Sequence, residues 1–86
     1  MSRYLYSGNA AAYQAVITAV RALGFSVKER EFHDVHRNQA CITLKVLDAQ
    51  GNIYGNETFT HWDIDVLYNT ATSWLSNLHE SLKTWS

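Results

Sequence analysis

The stretch FHDVHRNQAC, residues 32–41, gathers two histidines, an aspartate and the single cysteine of the chain within ten positions. Those residue types could support two chemistries. Zinc takes about four ligands of His, Cys or carboxylate type, and its sequence signature pairs ligands closely at two places in a chain. His33 and His36 make one close pair, with Cys41 and His61 as the ligands that would complete a zinc-stabilised domain. A nucleophilic site would instead join the Cys41 thiolate to His33 or His36 as its base. The ordinary reading is the one expected here. Asp34, Arg37 and Asn38 are turn formers, the histidines are solvated, and Cys41 is a small half-buried residue on a strand. With a hairpin turning over residues 35–38, His33 should lie across from Gln39, and His61 should reach the same end of the sheet.

Other catalytic constellations are weaker. Asp63 and Asp65, with Glu57 nearby, could form an acid/base pair, but both aspartates fall where a helix should start, and negative charge there offsets the helix dipole. The four glycines, Gly8, Gly24, Gly51 and Gly55, are isolated, so no loop is built to cradle phosphate. The expectation is a protein with no enzymatic activity, no cofactor and no metal.

The elements that must position these residues follow from periodicity. Ser7 or Asn9 can cap a helix whose apolar positions Tyr13, Val16, Ile17, Val20 and Leu23 share one face, and Gly24 can end it. From Phe25 to His33 the period becomes two. Phe25 and Val27 lie on one side, and charges on both faces mark an edge strand. ACITLKVL, residues 40–47, alternates cleanly and should be the central strand, with Ala40, Ile42, Leu44 and Val46 facing the core. Asp48 and Gly51 suit the first and fourth positions of a type I turn, after which IYGNETFT returns antiparallel in a register that the pattern leaves open. Thr60 or Asp63 then opens a long helix with Ile64, Leu67, Tyr68, Ala71, Trp74, Leu75, Leu78, Leu82 and Trp85 on one stripe. A short strand at Tyr4 to Tyr6 could precede all of this. The fold expected is α+β, a two-layer sandwich in α-β-β-β-α order, with two helices on one face of a three-stranded antiparallel meander.

The chain has 86 residues, of which 47% are hydrophobic, which fills one small core and not two, so residues 1–86 read as a single domain. Seven Lys and Arg against eight Asp and Glu give a formal charge of −1, which excludes a strongly basic nucleic-acid binder. No apolar run approaches a membrane span, no signal sequence is visible, and a lone cysteine suits a reducing compartment, so the expected location is the cytoplasm.

The helix, three strands, helix order resembles the layout of double-stranded-RNA-binding domains, over most of the chain. The resemblance implies binding to duplex RNA, which those domains achieve with a lysine cluster at the start of the last helix. The matching place here reads THWDID and is acidic. The cations available for such a role are Lys28, Arg30, Arg37 and Lys45.

A protein partner explains more of the surface. The sheet face opposite the core carries Cys41, Thr43, Lys45 and Leu47, and one register of the third strand adds Ile53 and Phe59, making that face more apolar than water favours. The outer face of the long helix is made of Asn69, Thr72, Ser73, Ser76 and Asn77, with few charges. We therefore expect a small protein-binding module of adaptor or inhibitor type. Its contact residues should be Leu47, Phe59 and Thr43 on the sheet, or Ser73 and Asn77 on the helix, and its partner another protein or a second copy of itself.

Overall fold

Helix α1 (Gly8–Ala22) buries Tyr13, Ile17 and Val20 completely, with Val16 and Leu23 partly buried beside them. The computed structural model describes residues 8–85, so the strand expected at Tyr4 to Tyr6, the capping role of Ser7 and the side chain of Trp85 lie outside the described residues. Because the helix begins at Gly8, Asn9 sits within its first turn instead of capping it. Gly24 ends it in the left-handed conformation, φ 99°, and its N–H donates to the Arg21 carbonyl at 3.0 Å. Phe25 packs on the core and meets Tyr54 edge to face, ring centroids 5.3 Å apart.

Strands β1 (Ser26–Asp34), β2 (Gln39–Leu47) and β3 (Ile53–His61) form an antiparallel meander in the order β1-β2-β3. The FHDVHRNQAC stretch is the first hairpin. Asp34 Oδ1 accepts from the N–H groups of His36 and Arg37, at 3.1 and 3.3 Å, and Asn38 supplies the left-handed residue at φ 52°. Four loop residues pair Asp34 with Gln39, so His33 lies across from Ala40, one position from the expected Gln39.

Asp48 organises the second turn. Its carbonyl accepts from Gly51 N–H at 3.1 Å, and its carboxylate accepts from Gln50 N, Asn52 N, Asn52 Nδ2 and Tyr54 OH. These bonds, the Asn52 side-chain bond foremost, hold the Asp48 carboxyl below its ordinary pKa. Just past this turn the β2–β3 register shifts between Val46 and Leu47. One extra residue on β3 flips the face of everything beyond it. Ile53 therefore sits opposite Leu47, while Phe59 sits opposite Ile42 on the core side.

Asp63 begins α2 (Ile64–Trp85), its Oδ1 accepting from Asp65 N–H at 2.9 Å and its carbonyl from Leu67 N–H at 3.0 Å. The stripe of α2 buries Leu67, Tyr68, Ala71, Leu75 and Leu82, with Ile64, Trp74 and Leu78 half-buried at its border. Together with α1 it closes over Val27, Ile42, Leu44 and Val46, so both helices share one face of the sheet.

Gly55 is required where α2 crosses β3. A Cβ there would stand 2.8 Å from both Leu78 Cδ2 and Trp74 Cη2. Gly55→Ala should cost about 1–3 kcal/mol, since a rigid indole cannot yield as cheaply as a single methyl. Urea unfolding measures this; an unchanged midpoint would mean that the Trp74–Leu78 contact gives way freely.

Candidate protein-binding interface

The alternation of the strands separates the charges of the sheet. Glu29, Glu31, Glu57 and His61 share the helix-facing side with the core residues of β2. Glu31 accepts from the Tyr68 hydroxyl at 3.0 and 3.2 Å. Burial, then the neighbouring Glu31 charge, raises the Glu29 pKa, which Arg21 and a hydrogen bond with Gln14 partly offset. Tyr13, whose ring centroid is 5.2 Å from that of Tyr68, has its hydroxyl buried without a hydrogen-bond partner among the described residues, and burial pushes its phenol pKa well up. This is an acidic, phenolic side.

The opposite side is basic, and among the described residues no element lies across it. It carries Lys28, Arg30 and Phe32 from β1, Cys41, Thr43, Lys45 and Leu47 from β2, and Ile53, Asn56, Thr58 and Thr60 from β3. Lys28 stands directly opposite Lys45, and Arg30 opposite Thr43. No ion pair joins these three cations to a carboxylate among the described residues. Like charges directly opposed across an antiparallel pair work against the fold. The Arg30 guanidinium lies 5.2 Å from the centroid of the Phe32 ring, and Phe32 and Ile53 remain exposed at 40% and 55%. Two large apolar side chains thus stand exposed on the same face as three cations.

The expected residues distribute unevenly. Leu47 and Thr43 lie on this open face, half-buried by their neighbours. Phe59 does not. It turns inward, with its ring edge-on to Trp74 at 5.8 Å, because the bulge reverses the face that a regular register would have given it. Ser73 and Asn77 are exposed on α2, whereas Thr72 is half-buried with its hydroxyl shut in. Of the cations considered for nucleic acid, Lys28, Arg30 and Lys45 share the open face, while Arg37 sits in the β1–β2 turn, 3.9 Å from Asp34.

The residues considered for zinc do not converge. His33 and His61 flank Ala40 on the helix-facing side, Cys41 points to the other face, and no group of three potential ligands forms among the described residues. Cys41 is buried, with Phe32 and Thr60 as its cross-strand partners, and its Sγ lies 3.9 Å from the Gln39 carbonyl oxygen. The sheet thus parts the thiol from His33, and His36 is exposed in the turn beyond the paired strands. Asp63 caps the helix by accepting from Asp65 N–H.

Among the exposed apolar residues that the periodicity argument did not single out are Phe32, Val35 in the first turn, and Trp62 between β3 and α2. Each sits where the pattern is broken or on a strand edge rich in charge. No helix of the described residues is long and apolar enough to cross a membrane.

The full sequence, residues 1–86, matches the family model described as bacteriophage T7-like, gene 1.2. A relative from Escherichia phage T7, named as an inhibitor of dGTPase, is 38% identical over 81 residues, spanning 94% of this chain and 95% of its own length. Matches that cover both chains nearly end to end carry the whole α-β-β-β-α order, not one motif, and the chain belongs to the bacteriophage T7-like gene 1.2 family.

Proposed function

We propose that this chain binds a dGTPase and suppresses its activity, and that it does so with the open, basic face of its sheet. Two lines support the reading. The T7 relative carries the name of such an inhibitor and aligns along nearly the whole chain. The chain is a small non-enzymatic module, so its effect on an enzyme must come from contact. The observation that carries the choice of surface is the Lys28–Lys45 opposition, with no ion pair to a carboxylate among the described residues. Charge held at a cost to the fold is explained by an acidic patch on the partner, which pairs with it on binding. Phe32 and Leu47 supply the apolar anchors beside those cations, as aromatic and aliphatic side chains do at the centre of contacts.

The direct test is titration of the purified chain into the dGTPase that the T7 relative inhibits, with dGTP hydrolysis as the readout. Hydrolysis should fall to background near one inhibitor per binding site, and the inhibition should weaken as salt is raised. Full activity in molar excess of the chain would refute the reading.

The clustering of Lys28, Arg30 and Lys45 on one face also supports a second reading, binding to a double-stranded nucleic acid. That reading requires a gel shift of duplex RNA or DNA that collapses steeply with salt, independent of any enzyme.

A further inference from the structure

We propose that two copies of this chain associate through the outer edge of β3, which no strand pairs among the described residues, and the adjoining flank of α2, giving a dimer with one continuous six-stranded sheet. The two edges of the sheet differ sharply. β1 guards its edge with Lys28, Glu29, Arg30 and Glu31 in succession, a standard protection against unwanted strand pairing. β3 is equally long, nine residues, and carries one carboxylate, Glu57, with no lysine, arginine or proline.

The helix beside that edge has the matching character. Trp74 and Leu78 of α2 pack over Gly55 and Phe59 of β3, while Tyr68, on the other border of the stripe, packs against Tyr13 of α1. Turning past Trp74, away from α1, the helix presents Val66, Thr70, Ser73, Asn77, Ser81 and Thr84 at spacings of three and four, all exposed. None is charged. Asp65 and Lys83 project well outside this flank, and Glu80 borders it beside Ser73, one heptad away. The hydroxyls of Thr70, Ser81 and Thr84 already donate to the carbonyls of Val66, Asn77 and Glu80, at 2.9, 3.3 and 3.2 Å, so dehydrating them strands no donor.

A second copy fits because β3 is self-complementary about a two-fold axis at Phe59. Antiparallel pairing there sets Phe59 against Phe59, Thr58 against Thr60, and Glu57 against His61 of the other copy. The tautomer suits that last pair. Asp63 N–H donates to His61 Nδ1 at 2.8 Å, which leaves Nε2 to carry the proton and donate to a carboxylate. The spacing also fits. Strands lie roughly 4.8 Å apart and α2 rests over β2 and β3, so the two α2 helices would run roughly 10 Å apart, the distance at which small side chains let helices pack. The dimer aligns both basic faces on one side of the shared sheet, separate from the edge that joins the copies.

Sedimentation velocity on the full chain tests this. The parent should sediment as a reversible dimer of twice 9.8 kDa whose population rises with concentration. Asn77→Lys, at an exposed helix position in the flank, should leave circular dichroism unchanged and give a monomer, and Ser76→Lys, exposed about 100° further round α2, should remain dimeric. If Asn77→Lys fails to fold, Thr70→Lys is read in its place. A monomeric parent across the concentration series, or a flank variant that stays dimeric, would overturn the proposal. Because the flank lies off the open sheet face, loss of dimerisation without loss of dGTPase inhibition separates this proposal from the preceding one.

Discussion

Leu75→Ala will lower the unfolding free energy by about 2–5 kcal/mol, a large part of the roughly 5–15 kcal/mol that holds a domain of ordinary stability together. Leu75 has no exposed surface and belongs to the cluster that joins α1, α2 and the inner face of the sheet. Two terms act together. The removed methyl groups lose their transfer free energy, and the cavity persists because Tyr13, Ile17, Ile42 and Leu44 around the same core are themselves fully buried and have little room to move inward. The described residues share one core cluster, and the lone Cys41 can form no disulfide within the chain. The urea midpoint is the readout. A shift too small to resolve would place Leu75 at a loosely packed boundary, like Leu78, and contradict the core described here.

The fold was legible where one chemical period ran uninterrupted. Ile42, Leu44 and Val46 alternate with polar residues, and the stripe of α2 repeats over twenty-two residues, so hydrophobic periodicity alone assigned the inner face, the central strand and the long helix. Gly24, Asp48 and Asp63 were legible for a different reason, since each does local backbone chemistry that depends only on its neighbours. The face of Phe59 was not legible. It depends on a single-residue shift at the start of β3, and a strand reading IYGNETFTH has too few apolar residues to reveal such a shift by pattern.

The candidate interface was half visible for the same physical reason. Leu47 and Thr43 follow from the parity of β2, which the pattern sets. The opposition of Lys28 and Lys45 depends on how many residues the first turn consumes, and moving that turn by one would put Lys28 beside a core residue. Trp62 lies between two elements and belongs to neither period, so nothing in the spacing marks it as exposed. Pairing and turn length are properties of two segments at once, and single-segment patterns do not contain them.

The central claim, that the open basic face exists to meet an acidic partner, is tested most directly by Lys45→Glu. Lys45 is half-buried on the central strand and stands directly across from Lys28, so the substitution converts a repulsive pair into an attractive one. The fold should gain about 0.2–1 kcal/mol, read as a higher urea midpoint. On the proposed contact the same change sets a carboxylate against an acidic partner surface, and dGTPase inhibition should then weaken by at least roughly tenfold, about 1.4 kcal/mol or more. Stability and function moving in opposite directions is the predicted result, because damage to the fold would move both together. A variant that is stabilised yet inhibits as well as the parent would remove the open face from the contact and contradict the account.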